Sequence, residues 1–426
     1  MDARSRPRSG LRGRPVGAHR GGGGSGGGWR VTFLTAFEVV DILRSALIFA
    51  ALLVPLVVIH ELGHFLAAKA FRIKVLEFGI GFPPRIKGLS FRRGETEYTI
   101  NWLPIGGFVR MMGEEDPSDP RSLAAADAWK RLTVMAAGVV MNVGLALLLF
   151  TIAFMVPRER ALNLAQVAEV MPDSPAAMAT ISGTLRDGTE PAQGLQPGDV
   201  VMEVNGREVR NVSELIFHTR RFIGETQTWV ISRANSTLEA ELYARWRPPE
   251  GQGPTGIRVG APTVCTDVDD DGNPIGCSQR FPYTENVSYP PWEAVPRGWQ
   301  AMIDAVIVTK NEIQVRVNGS SGAAPDQPLL SGPVGIANTT GDIVEQAGWR
   351  PLIELAALLS LSLAVFNALP IPALDGGRMT FVVVEMLRGG RRISAEKEGF
   401  VHFVGFAVLL AGILVITFFD ISRLIT

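Results

Sequence analysis

Between Ser45 and Phe71 the chain reads SALIFAALLVPLVVIHELGHFLAAKAF, an almost purely apolar run long enough to cross a bilayer as one helix. Inside it sit His60, Glu61 and His64. Lipid solvates such groups poorly, so at membrane depth they are expected to have partners and a task. Residues four apart share a helical face, so His60 and His64 can hold one metal ion, and Glu61 between them can serve as a base toward water activated there. The plainer alternative is two helical histidines beside an unrelated carboxylate, which the apolar setting disfavours.

Three further apolar runs follow at about 132–156, 352–369 and 401–419, so the expected architecture is a polytopic α-helical membrane protein with four transmembrane helices. Composition agrees: 46% of residues are hydrophobic and only 19% charged. Lys plus Arg is 41 against 42 Asp plus Glu, which excludes the basic excess of a nucleic-acid binder. The loops 72–131 and 378–399 carry most of the basic residues that flank the spans, among them Arg72, Lys74, Arg131, Arg378 and Lys397. By the positive-inside rule that side is cytoplasmic and 157–351 lies outside. An Arg/Gly-rich tail over 1–41 would then also lie outside, against the rule, although most of its arginines are far from the first span. It cannot bury a core and is expected to stay disordered, and no small-residue cleavage site follows it.

The remaining segments read differently. Residues 75–114 alternate apolar and polar with Gly and Pro punctuation, predicting several short strands beside the histidine motif. An open edge there could pair with an unwound peptide; a purely structural sheet is the alternative. Residues 164–246 predict a compact β-rich domain. Asn205-Gly206 makes a hairpin turn there, and a short helix follows with Ser213 as its N-cap and His218 on its surface. Residues 247–300, rich in Pro, Gly and Asp, predict a linker. Its Asp267, Asp269, Asp271 and Gly272 match the start of a calcium loop, but Ser278 stands where the bidentate Glu belongs, so a solvated acidic turn is favoured. Cys265 and Cys277 are poor zinc ligands without a second pair, and their pairing is left open. The chain thus divides into 1–41 (tail), 42–157 (helices one and two with the strand region), 158–247 (β-rich domain), 248–350 (linker and amphipathic segment) and 351–426 (helices three and four).

Two histidines do not complete a catalytic zinc site. The expected third ligand is Asp375, in Asn367-Ala-Leu-Pro-Ile-Pro-Ala-Leu-Asp375-Gly-Gly, where prolines end the third span and irregular backbone can carry a carboxylate inward. An interfacial turn with a solvated aspartate is the alternative. His402, at the mouth of the fourth span, reads as interfacial, and Pro55 as a kink in the first.

These pieces together resemble the site-two family of intramembrane zinc metalloproteases. HELGH at 60–64 and NALPIPALDGG at 367–377 carry the likeness. Gly138 and Asn142 look like its G-x-x-x-N element. GLQPGDVVMEVNG at 194–206 and SGPVGI at 331–336 are similar to its PDZ-containing bacterial branch. The resemblance implies Zn2+ on His60, His64 and Asp375, Glu61 as catalytic base, and Asn367 and Asn142 toward substrate. It also implies an inserted PDZ-like domain, here with an apparent insertion at 180–193, and cleavage of single-span, anti-sigma-factor-like proteins in regulated intramembrane proteolysis. The setting would be the bacterial plasma membrane, with the active site toward the cytoplasm and the PDZ-like domain outside. A non-catalytic membrane adaptor and a zinc transporter are the competing readings. Oligomeric state is left open.

Overall fold

The computed structural model describes residues 36–425 apart from 115, 250, 262, 269–273, 280–283 and 318–331. The Arg/Gly tail lies outside the described residues up to 35, as do Asp269, Asp271 and Gly272 of the calcium-like run. The chain begins with α1 (Ala36–Ala70), a curled pair of strands β1 (Val75–Arg93) and β2 (Thr96–Met111), and α2 (Ala128–Met155). A β-rich region follows: β3 (Arg158–Ala161), β4 (Ala165–Val170), β5 (Thr180–Ser182), β6 (Val200–Val204), β7 (Arg207–Glu208), α3 (Val212–Arg221), β8 (Thr226–Arg233) and β9 (Ser236–Tyr243). Then come β10 (Ile257–Gly260), β11 (Thr263–Val268), β12 (Pro274–Gln279) and β13 (Thr284–Val287). Five helices complete it: α4 (Pro291–Val317), α5 (Pro333–Ala347), α6 (Pro351–Ala368), α7 (Asp375–Leu387) and α8 (Ala395–Ile425).

Four of these helices, α1, α2, α6 and α8, are long and apolar enough to cross a membrane. Their surfaces show where the solvent must be apolar. The apolar window of α8 buries 0% of its residues within the protein and that of α1 only 11%. Phe403, Phe406, Val408, Leu414 and Phe418 all point outward. Water does not tolerate so large a contiguous apolar surface on a soluble chain, and lipid does. This is a membrane protein.

The bundle is organised on α2, which packs against α1, α4, α6 and α7. Its inward face sets Gly138, Ala146 and Ala153 among larger buried residues such as Met135 and Phe150, and the small residues allow helix backbones to approach closely where no hydrophobic force drives association. The glycine of the HELGH run has the same purpose. A Cβ on Gly63 would lie 2.8 Å from the Ala137 carbonyl carbon and 2.7 Å from Met141 Cγ, so only glycine lets α1 and α2 cross here. Pro55 lies within the continuous helix α1.

The strand region is two long elements, each of which contributes two short paired segments, in line with the expectation of several short strands. Residues 77–80 of β1 pair on one side with 107–110 of β2 and on the other with 97–100. Among the described residues no further strand pairs with the later half of β2, which is thus a free edge, and β2 packs along α1.

The β-rich domain is a seven-stranded sheet ordered β10-β4-β6-β8-β9-β5, with β7 added to β6. Its core is Trp229, Ile231, Leu238, Val201, Val204, Val167 and Leu215. Asn205 and Gly206 both take positive φ at the turn, as the hairpin dipeptide demands. The N-cap of α3 is Asn211 rather than Ser213: its side chain accepts from the Glu214 amide at 2.9 Å, and Glu214 returns the favour to the Arg210 amide.

Residues 247–300 are not a bare linker. β10 adds an edge strand to the sheet, ten residues beyond the domain limit expected at 247, because Ile257 and Val259 are apolar enough to pack on its core. The backbone of the β11–β12 hairpin sets Cys265 opposite Cys277. From Pro291 the chain is helical. Buried Asp304 on α4 pairs with Arg207 at 2.8 Å and Arg221 at 3.1 Å on the β-rich domain. Met302, one turn's reach away, packs with Ala146, Phe150, Ala357 and Leu361 of the bundle. One helix thereby joins the sheet to the membrane helices.

Candidate metal centre

His60 and His64 lie on the α2-facing side of α1, both 6% exposed. Their rings meet edge to face with centroids 4.8 Å apart. The ring orientation of His64 follows from one bond: Nδ1 donates to the Val134 carbonyl at 2.8 Å. A carbonyl can only accept, so Nδ1 carries a proton, and in the neutral ring Nε2 presents the lone pair. That lone pair faces His60 Nε2 at 3.1 Å and Asp375 Oδ2 at 3.2 Å, and His60 Nε2 lies 2.9 Å from the same carboxylate oxygen.

The residue that closes this triangle arrives from more than three hundred positions away. α6 ends at Ala368, where Leu369 turns extended, and a short loop of Pro370 to Leu374 leads directly into α7 with Asp375 in its first turn. The positive end of α7 suits a carboxylate there. The two glycines after it are steric requirements. A Cβ on Gly376 would lie 2.6 Å from the Ala368 carbonyl oxygen, and one on Gly377 3.0 Å from Pro372 Cα. Room for the imidazoles comes from α2: a Cβ on Gly138 would lie 2.7 Å from His60 Cε1 and would overlap His64 Nε2.

The geometry can be tested against a tetrahedral metal. Donors at roughly 2.0–2.1 Å from zinc stand about 3.3 Å apart at tetrahedral angles. The three observed separations, 2.9, 3.1 and 3.2 Å, match that triangle. A proton on an imidazole Nε2 can bridge such a contact as a hydrogen bond, and with both Nε2 atoms unprotonated a metal ion can take its place among the three donors. The donor set, two nitrogens and one oxygen, is one that zinc takes in catalytic sites with a position left open.

A family model described as peptidase family M50 matches residues 48–412, most of the chain and every residue of this cluster. The chain belongs to peptidase family M50. Among similar proteins, one from Clostridium perfringens carrying a zinc metalloprotease name is 32% identical, over 89% of this chain and 98% of its own length. The zinc metalloprotease RasP of Geobacillus kaustophilus is 28% identical, covering 90% of this chain and 99% of that one. The regulator of sigma-W protease RasP of Bacillus subtilis is also 28% identical, over 90% and 99%. This M50 chain is a zinc metalloendopeptidase, which removes the adaptor and transporter readings.

The other residues singled out in the M50 sequence fall as follows. Glu61 is half-buried beside the triangle, close enough to His60, His64 and Asp375 for electrostatic interaction, and its carboxylate accepts from the Val109 amide on the free edge of β2. Asn142 is fully buried, with Nδ2 3.4 Å from His60 Nδ1. Asn367 turns its amide onto the Leu363 carbonyl of its own helix at 2.9 Å. His402 is not in the triangle. Its Nδ1 accepts from the amide of Ala373 at 2.9 Å, so it braces the loop before Asp375 where Ala373 takes a φ of 79°. On the β-rich domain, burial and then nearby Arg207 hold the His218 imidazole below its ordinary pKa.

Sequence reasoning did not find Val134, Val109, Ser360 or the bracing role of His402. The first two act through backbone atoms, which any side chain could accompany. Ser360, whose Oγ donates to the Asn142 carbonyl at 2.9 Å, looks like any small residue of a membrane helix.

Proposed function

We propose that this protease hydrolyses peptide bonds of single-span membrane proteins within or near their membrane segment, with His60, His64 and Asp375 holding the zinc and Glu61 as general base. The carrying observation is the triangle of donor atoms within 3.2 Å, set between helices apolar enough to span the bilayer. When bound, zinc supplies Lewis acidity to the scissile carbonyl and a lowered pKa to water. Glu61 takes the proton from that water and delivers it to the leaving nitrogen, the two halves of general acid–base work. Val109 N–H orients the Glu61 carboxylate for both.

A transmembrane helix hides its carbonyls in its own hydrogen bonds, so substrate must unwind before it is cut. The free edge of β2 beside Glu61 supports pairing with the released backbone by strand addition. Asn367, at the open end of α6, suits a contact to that same backbone. A cavity of about 230 Å³ between α2 and α7 is lined by Arg131, Met135, Phe381 and Glu385. The basic loops support placing this end at the cytoplasm and the β-rich domain outside, in a bacterial plasma membrane. We read residues 158–247, completed by β10, as a PDZ-like domain, with the tail 1–41, the membrane parts 42–157 and 351–426, and the intervening 248–350 as the remaining units. The name of the Bacillus subtilis relative, a regulator of sigma-W protease, favours an anti-sigma-factor-like substrate.

The test is direct. Purified full-length protein in lipid vesicles is given single-span substrates with and without a truncated outer domain, and the products are mapped by mass spectrometry. Zinc-dependent cuts inside or beside the apolar segment are expected. Cuts confined to soluble loops would overturn the intramembrane reading.

A further inference from the structure

We propose that Asn142 is a positioning residue for His60: its carboxamide oxygen accepts from His60 Nδ1–H and so holds Nε2 on the metal. This rests on the zinc site proposed above and reassigns a residue expected to touch substrate.

The two histidines are not held alike. His64 is oriented by the Val134 carbonyl, as a metal-ligating histidine requires of its second nitrogen. For His60, the polar neighbour of Nδ1 is Asn142, whose Nδ2 stands 3.4 Å away. That contact cannot persist in the working site. Once Nε2 of His60 faces the metal its Nδ1 carries the proton, and an N–H then opposes an N–H. The other end of the same carboxamide shows the matching fault: Oδ1 is buried and makes no hydrogen bond. A half-turn about the last side-chain torsion exchanges the two ends without moving any other atom. It removes the donor clash and gives the oxygen a donor, with Nδ2 moving to the position the oxygen now holds.

The surroundings support a structural grip. Asn142 is 0% exposed. Its backbone carbonyl accepts from Ser360 Oγ at 2.9 Å, tying α2 to α6, the helix that leads into the Asp375 loop. One turn before it, Gly138 clears the space both imidazoles occupy. The G-x-x-x-N spacing thus places room and acceptor on one face of α2. One residue lets the rings in, and the other holds His60 once there.

Zinc affinity of the full-length protein by chelator competition is the decisive measurement, on wild type, Asn142→Leu, Asn142→Asp and His60→Ala. Leucine keeps the volume and removes the acceptor; aspartate keeps the acceptor. Asn142→Leu is expected to bind zinc roughly 10–100-fold more weakly, the usual loss for a partner behind a metal ligand. Asn142→Asp is expected near wild type, with KM at saturating zinc unchanged in both. Wild-type zinc affinity in Asn142→Leu together with a raised KM would overturn the inference and restore a substrate contact. Should the aspartate variant misfold, the leucine comparison alone still decides, and Asn142→Ala reads the same affinity should leucine misfold. The His60→Ala arm separates the two ideas. Undiminished affinity there sinks the zinc site itself, whereas loss there without loss in Asn142→Leu sinks only the role of Asn142.

Discussion

Glu61→Gln is expected to lower kcat by about 10²–10⁴-fold, the range lost with a general base, while zinc content stays at the wild-type value. Glutamine keeps the shape and still accepts from the Val109 amide through its carbonyl, so the edge of β2 stays in place. What it loses is the ability to take a proton from water and return it to the leaving nitrogen. None of the three atoms in the triangle belongs to Glu61, so metal binding is left intact. Cleavage of a single-span substrate by the purified variant, with zinc measured alongside by elemental analysis, checks both halves. Unchanged turnover would remove Glu61 from the mechanism, and lost zinc would mean that it holds the metal rather than the proton.

Gly138→Val is expected to abolish both zinc binding and cleavage. The first added carbon already lies 2.7 Å from His60 Cε1 and 2.8 Å from His60 Nε2, closer than real side-chain carbons come. Neither ring can swing away cheaply, since His64 is bonded to the Val134 carbonyl and His60 is backed by buried Asn142. Retreat of α2 as a whole would open the close Gly63–Ala137 approach and drive α2 into α4, α6 and α7, which pack against it. The strain falls on the imidazoles, whose donor atoms leave the triangle. The readout is zinc per chain and product formed, at matched expression and matched helix content. A variant that kept full zinc would show that the rings have freedom the packing denies them.

Gly138 shows how much of this protein is legible from its sequence. The spans, the paired histidines and the glutamate between them are local signals: apolar length and a repeat of four are properties of a single helix. Asp375 is legible because proline, aspartate and paired glycine announce a broken helix at membrane depth. The register of neighbouring helices, by contrast, is a property of the packed bundle. A glycine in a membrane helix reads as a close approach, but which ring it approaches is not written in the pattern. Backbone partners such as Val134 and Val109 leave no trace in residue type at all. The region 248–350 was the hardest to read because α4 is stabilised on two sides at once. Asp304 and Met302 sit on one helix with different partners, so no single apolar stripe declares it. β10 was missed for a related reason: it is four residues long, follows a proline- and glycine-rich turn, and pairs with β4, which lies far back in the chain.

Anomalous scattering at the zinc edge from crystals of full-length Glu61→Gln tests the central claim most directly. A single peak is expected within about 2.0–2.3 Å of His60 Nε2, His64 Nε2 and an Asp375 carboxylate oxygen together. A peak bound by the histidines with Asp375 turned away, or by the Cys265 and Cys277 hairpin instead, would contradict it.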